Sequence, residues 1–320
     1  MKKWKGWKIT IIVLSSILLI ILGYTFYLYH EVRATFDAIH EPINLPSKTE
    51  DVSISKPNET SLNQQPPPQQ NEEDTAAAKP ITVLLLGIDN MESTTGRSDT
   101  ILLLTLNPAK ETMKILSIPR DTYTEIVGFN FEDKINHSYA FGGIETTLLT
   151  VENLMNVPID YVVSVNMEGF IELVDIIGGI EVENDMDFTQ DSYHFSEGKI
   201  TLSGDAALNF VRMRKEDPRG DFGRQMRQRE VLESIFNKAV SFNLVWQAPS
   251  LLKSIREHVQ TNLTFDEMIE FQGIYKSTLN NIDHFTFSHG DGHLQNGIWY
   301  YFLDDEELQE MRKTLQESLL

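Results

Sequence analysis

The sequence has no cysteine among its 320 residues. That absence excludes disulfides, thiolate nucleophiles and cysteine metal sites. Basic charge is also scarce: 27 Lys and Arg stand against 47 Asp and Glu, for a net charge of -20. Nucleic-acid binding normally needs a basic face and a basic balance, so it is excluded as a general reading. No internal repeat is visible. Ser98 lacks a nucleophile elbow, which argues against serine hydrolysis. Hydrophobic residues make up 41% of the chain, enough to give one large domain or two average ones a sizeable core.

The amino terminus carries what positive charge the region has. Lys2, Lys3, Lys5 and Lys8 precede an uncharged apolar run from Ile9 to Tyr29, whose 21 residues suffice to cross a bilayer as a helix. Trp4, Trp7, Tyr24, Tyr27 and Tyr29 stand near its ends, where an aromatic belt belongs. The run is too long for the core of a signal peptide and no small-x-small cleavage site follows it. The expectation is a cytoplasmic tail over 1–8, a signal anchor over 9–29 and a single-pass type II protein with its bulk outside the membrane. Residues 30–79 read as a stalk followed by a disordered Pro/Gln/Ser-rich spacer around Gln64-Gln-Pro-Pro-Pro-Gln-Gln70, holding a folded domain over 80–320 away from the bilayer.

Within that domain, short β-branched and leucine-rich runs at Ile81–Ile88, Thr100–Leu106, Thr112–Ile118, Asp160–Val165, Ile180–Glu183, Phe285–Phe287 and Ile298–Leu303 predict strands. Helical segments are expected over 135–155, broken at Gly142-Gly143, and over Glu168–Ile177 with a stop at Gly178-Gly179. Further helices are expected over Asp205–Val211, over Arg224–Phe242, after a Thr264/Glu267 capping box, and after Asp304. The alternation predicts an α/β fold, a central sheet covered by helices.

Arginine beside aspartate recurs in this acidic chain. Arg97 and Asp99 share one side of an extended segment, and Arg120-Asp121 leaves the strand ending at Ile118. Arg212, Arg214, Lys215, Arg219, Arg224, Arg227 and Arg229 crowd one short stretch, with Arg224, Arg227 and Gln228 spaced for one helix face. The helix before it is expected to end near Val211, so that Arg212 and Arg214 enter on extended backbone. Guanidinium forks fit phosphate oxygens, and a carboxylate can hold a divalent cation beside them. The bland alternatives are surface ion pairs and a solvated helix face. His289-Gly-Asp291-Gly-His293 is read as a turn between strands rather than a metal site.

Gly87-Ile-Asp89, Arg97-Ser-Asp-Thr100, Ser117-Ile-Pro-Arg-Asp121, Lys134-Ile-Asn-His137, Gly178-Gly-Ile-Glu-Val182, Leu202-Ser-Gly-Asp-Ala-Ala-Leu208, Val211-Arg-Met-Arg214 and Gly220-Asp-Phe-Gly-Arg-Gln-Met-Arg-Gln228 stand in order. Together they resemble the LytR-CpsA-Psr family of membrane-anchored phosphotransferases, strongly over about 81–239. The resemblance implies an α/β/α-type sandwich with a mixed sheet and a hydrophobic pocket for a polyprenyl tail. It implies transfer of an anionic glycopolymer, for example wall teichoic acid, from an undecaprenyl-pyrophosphate carrier to a peptidoglycan hydroxyl. It places Asp89 and Asp99 at a Mg²⁺ (or Mn²⁺) site, and Arg97, Arg120, Arg212, Arg214 and Arg224 around the pyrophosphate. Asp121, Asp221 and Gln228 fall at further site positions, and Arg97, Asp99, Arg120 and Asp121 are the candidate catalytic residues. The general base is left open between Asp99 and Asp121. A polyprenyl-pyrophosphate pyrophosphatase, a regulator and a wall-binding module are the rival readings.

Overall fold

The computed structural model describes residues 3–43, 79–90, 96–241 and 248–320. The expected spacer, apart from residue 79 at its end, lies outside the described residues. The strands in chain order are β1 (Ile81–Ile88), β2 (Ser98–Asn107), β3 (Thr112–Ser117), β4 (Tyr123–Ile126), β5 (Phe131–Lys134), β6 (Tyr161–Asn166) and β7 (Ile180–Asn184). They continue with β8 (Phe188–Gln190), β9 (Tyr193–Phe195), β10 (Gly198–Leu202), β11 (Val259–Thr261), β12 (Ile282–Thr286), β13 (Asp291–Gln295) and β14 (Ile298–Phe302). The helices are α1 (Lys3–Ile39), α2 (Ser138–Met155), α3 (Met167–Ile176), α4 (Gly204–Arg212), α5 (Asp221–Ser241), α6 (Ala248–His258), α7 (Phe265–Ile274) and α8 (Asp305–Ser318).

Six strands form the main sheet, in the order β11-β6-β1-β2-β3-β12. Its pairing is mixed: β1 runs parallel to β6 and antiparallel to β2, and β3 runs parallel to β12. Alternate residues of β1 serve opposite faces, as strand geometry requires. Leu84, Leu86 and Ile88 join Leu148 and Val151 of α2 and Leu315 of α8 in one core. On the opposite face Val83 and Leu85 pack in a second core with Leu232 and Phe236 of α5. A third cluster joins α3, α4, α5 and the small β7–β10 sheet through Val174, Phe210, Val231 and Val182. Helices thus cover both faces, in the expected α/β/α arrangement.

Local signals explain several element ends. Gly142 and Gly143 leave helical geometry inside α2, and Gly178 and Gly179 take φ of 80° and 77° after α3. Thr264 and Glu267 form the reciprocal capping box of α7, and Asp304 caps α8 by accepting from the Glu307 N–H at 2.9 Å. Three expectations are corrected. Helix α4 runs one residue further and includes Arg212, so only Arg214 lies on extended backbone. The penultimate expected strand starts earlier, at Ile282. Asp291 and His293 belong to strand β13 rather than to a turn.

Among the described residues one helix, α1, is long and apolar enough to cross a membrane. Its carboxyl end packs on the domain. Tyr29 and Phe36 meet the Phe265 ring at 5.5 and 6.1 Å, and Arg256 donates to Thr35 Oγ1 at 3.0 Å while pairing with Glu31 at 3.3 Å. Thr35 and Ile39 are buried, the Glu41 N–H donates to Thr261 O at 2.8 Å, and Ile43 joins the main core. Lys79 O accepts from the Tyr275 hydroxyl at 2.7 Å. Residues on both sides of 44–78 are therefore held by the same domain. Ile39→Ala, in a fragment beginning at residue 30, is expected to lower unfolding stability by about 2–5 kcal/mol in urea titration, the usual range for emptying such a site. An unchanged midpoint would mean that the helix end contributes nothing to the fold.

Candidate functional site

The site grows out of an irregularity in the β1–β2 ladder. Pairing runs in register from Ile81↔Leu106 to Gly87↔Thr100, then jumps to Ile88↔Ser98. Asp99 is the extra residue of this β-bulge, a device that re-aims a side chain. A Cβ on Gly87 would lie 2.9 Å from Thr100 Cβ, so only glycine permits this approach. Asp99 accepts from Arg120 Nη1 at 2.8 Å through Oδ2 and from Asn136 Nδ2 at 3.0 Å through Oδ1. At the end of β1, Asp89 Oδ1 accepts from the Arg97 N–H at 2.5 Å.

These residues stand at the mouth of a cavity of about 1120 Å³ between the sheet and α3, α4 and α5. The polar end is lined by Asp89, Asp99, Arg120, Arg212, Arg214, Lys215, Arg224 and Gln228. The rest is apolar, walled by residues such as Leu85, Leu102, Val163, Phe170, Leu232, Phe236 and Val259. Gln228 is fixed by donating to Thr100 Oγ1 at 3.0 Å. Arg224 pairs with Asp221 at 2.7 Å. Burial lowers the Arg224 pKa from its ordinary value; Arg120 and Arg214 push the same way, while Asp221 and Asp99 oppose them. The buried Nε atoms of Arg120 and Arg224 and Oδ1 of Asn136 have no hydrogen-bond partner among the described residues. A buried, partly unmatched set of guanidinium donors is a ready anion cradle.

Seven of the expected site residues therefore converge on the mouth: Asp89, Asp99, Arg120, Arg212, Arg214, Arg224 and Gln228. Arg97 is exposed and reaches the site through its backbone. Asp121 stands beside the mouth, paired with Lys134 at 2.7 Å, and Asp221 backs Arg224. Arg227 does not share the cavity with Arg224 and Gln228, which corrects the one-face expectation. Its guanidinium lies over the Phe188 and Phe210 rings at 5.4 and 6.0 Å, donating inward to Asp217 and to Met213 O. Arg229 donates to Ser117 Oγ. Lys215 and Asn136 join the site without having been assigned to it. Lys215 lies in the basic stretch and Asn136 in the Lys134–His137 motif, so both were marked by sequence but given no role.

Asp217 organises this loop. Its side chain is fully buried and accepts from Arg219 N, Nε and Nη2 and, at 2.6 Å, from Arg227 Nη1. Arg227 Nη2 donates to Met213 O at 2.6 Å, between Arg212 and Arg214. A Cβ on Gly223 would come within 1.8 Å of Asp217 Oδ2, so the first turn of α5 presses directly on this carboxylate. Burial alone would raise the Asp217 pKa, but the Arg219 and Arg227 hydrogen bonds outweigh it and hold the carboxyl well below the usual range.

For a divalent cation the donor set is two carboxylates, Asp89 and Asp99. Among the described residues no group of three or more His, Asp or Glu gathers to hold a metal. Each carboxylate oxygen carries two lone-pair directions, so the bonds to Asn136, Arg120 and Arg97 leave acceptor capacity. Mg²⁺ is commonly held by one or two carboxylates together with substrate phosphates rather than by an all-protein cage, and the set fits that mode.

A mixed sheet between helical layers, with an arginine-lined mouth on an apolar cavity, defines an α/β/α-type ligand-binding protein. Comparison with known proteins goes further. The model of the LytR_cpsA_psr family matches residues 26–317, and the chain belongs to that family. It is 44% identical over 319 residues to the Bacillus cereus polyisoprenyl-teichoic acid–peptidoglycan teichoic acid transferase TagU, covering 98% of each chain. The crystal structure of Bacillus subtilis TagU matches with a TM-score of 0.62 and 43% identity, over 76% of this chain and 98% of that one. A structure of TagT bound to LI-WTA matches with a TM-score of 0.63 and 32% identity, over 75% and 91%.

Replacing Asp217 by Asn leaves the buried Arg227 without its carboxylate partner and removes one of the two that hold the half-buried Arg219. It is expected to cost about 3–5 kcal/mol of stability, as breaking a buried pair does. The stability that Asp217 contributes is complete above its unfolded pKa, about 3.9. It is lost as pH falls toward the lower folded value. Urea titration on acidification from neutral pH should show a steeper loss for the native chain than for Asp217→Asn.

Proposed function

We propose that this protein is a phosphotransferase that moves an anionic glycopolymer, such as wall teichoic acid, from an undecaprenyl-pyrophosphate carrier to peptidoglycan, leaving a phosphodiester. The observation that carries this reading is the join of the two halves of one cavity. An apolar channel ends at a cluster of arginines, as an amphiphile with an isoprenoid tail and a pyrophosphate head requires. Its volume of about 1120 Å³ lies above the ~300–1,000 Å³ usual for small-molecule sites. The name of the Bacillus cereus relative, a polyisoprenyl-teichoic acid–peptidoglycan teichoic acid transferase, and TagT bound to LI-WTA support the same reading.

In this mechanism Arg120, Arg212, Arg214 and Arg224 bind the pyrophosphate and neutralise charge as the bond to the lipid phosphate breaks. Phosphoryl transfer is catalysed mainly by such positioning and charge stabilisation. Asp99, fixed by Arg120 and Asn136, orients the reacting phosphate. Asp121, paired with Lys134 beside the mouth, is the carboxylate assigned to take the proton of the acceptor hydroxyl; that pairing supports the assignment. Asp89 and Asp99 would hold Mg²⁺, whose chemistry there is to offset negative charge on the phosphate oxygens. Helix α1 serves as a single-pass anchor that keeps the site outside the cytoplasm.

Fragment 30–320, incubated with a polyprenyl-pyrophosphate-linked saccharide, peptidoglycan fragments and Mg²⁺, should yield a phosphodiester-linked adduct detectable by mass spectrometry. Arg120→Ala should cut the rate by about 10²–10³-fold, as loss of one charge-stabilising donor does. Hydrolysed lipid phosphate without adduct would instead establish a pyrophosphatase.

A further inference from the structure

The anchor helix does not stop at the membrane. Its last uncharged residue before Glu31 is His30, yet the helix continues to Ile39 without a break. The eleven residues from Tyr29 to Ile39 rise about 15 Å, and they are packed against α6, α7 and β11. The contacts begin at the end of the apolar run itself, with Tyr29 on Phe265, and continue through Glu31, Thr35 and Ile39. The chain then hydrogen-bonds to edge strand β11, where His40 bridges Thr261. A helix with buried residues and a hydrogen-bonded exit is fixed to the domain, not tethered to it.

The edge that α1 grips is also a wall of the cavity. Val259 of β11 lines it, opposite Val165 in the β11–β6 pairing. The other wall there is α3, which contributes Phe170 and packs on α6. The far side of the domain carries the β13–β14 hairpin, joined to the connection between β3 and β4 by the Tyr301 N–H donating to Asp121 O. The catalytic mouth lies between these two edges.

We infer that the juxtamembrane end of α1 is a rigid strut that seats the β11–α6–α7 edge on the bilayer surface. The apolar part of the cavity, walled there by Val259, then lies on the bilayer side of the site, toward the lipid from which the donor's tail must come. The β13–β14 hairpin is turned away from the bilayer. The partner surface is the lipid headgroup layer, and Ile269 of α7, 53% exposed, is the large apolar side chain that this edge offers it. The inference rests on the reading of α1 as a membrane span and does not require the transfer reaction.

The absence of native cysteine makes the test direct, because a single introduced cysteine is the only thiol to label. Ile269→Cys and Leu294→Cys, each carrying a fluorophore, would be reconstituted as full-length chains in phosphatidylglycerol/phosphatidylcholine vesicles containing a headgroup-quencher lipid. The label at 269 should be quenched several-fold more than the label at 294. A flexible Gly-Ser insertion between Tyr29 and His30 should abolish that difference. Equal quenching in the uninserted chain, or a difference that survives the insertion, would overturn the strut. A chain extracted from the vesicles by carbonate would instead remove the membrane-span reading on which the strut depends. Adduct formation, measured separately, reports only on the transferase reading.

Discussion

The buried carboxylate of Asp217 is the interaction on which the anion-binding end depends. Arg212, Arg214 and Arg224 repel one another and belong to two different helices and the loop between them. Nothing in their own contacts would gather them. Asp217 does so indirectly, by binding Arg219 and Arg227 and, through Arg227, the carbonyl of Met213. Two guanidinium groups are thereby spent on structure so that the others can point at a ligand. A buried ion pair of this kind is seldom a net gain in stability over a well-packed apolar cluster. Here its return is geometric.

The second organising element is the sheet. It offers the site the carboxyl end of β1, the bulged start of β2 and the segment that leaves β3, so Asp89, Asp99 and Arg120 come to one place from neighbouring strands. Strands deliver position with little freedom, which phosphoryl transfer requires of its charge stabilisers. The helical layer on that face is set far enough from β1, β2 and β6 to leave a mainly apolar space, with the charged groups supplied by the ends of β1 and β2, the segment after β3, and the α4–α5 region.

Much of this was legible in the sequence. The β-branched and leucine-rich runs that became β1, β2, β3 and β6 are continuous because both faces of the central sheet are buried. The caps at Thr264 and Asp304 and the Gly178-Gly179 stop are local, and local signals survive folding unchanged. The residues that form the mouth were named from their motifs. What escaped notice depends on distant partners. The hairpin strands β4, β5, β8 and β9 are three or four residues long and mix aromatic with polar residues, too short for a period to distinguish them from loops. Arg227 looked like Arg224 because helical spacing cannot say which face is turned toward a ligand and which toward Phe188 and Phe210. The docking of α1 was hidden because Thr35 and Ile39 read as an ordinary amphipathic stalk; only the positions of Arg256 and Phe265, more than two hundred residues away, make them a seam.

The bulge at Asp99 has an evolutionary consequence. It is one residue long, and both flanking pairs, Gly87 with Thr100 and Ile88 with Ser98, are already in ladder geometry. Loss of that single codon would let β1 and β2 pair without interruption. The deletion would then remove two things at once, the carboxylate at the mouth and the partner it gives Arg120 and Asn136, so one codon carries both a functional and a structural constraint.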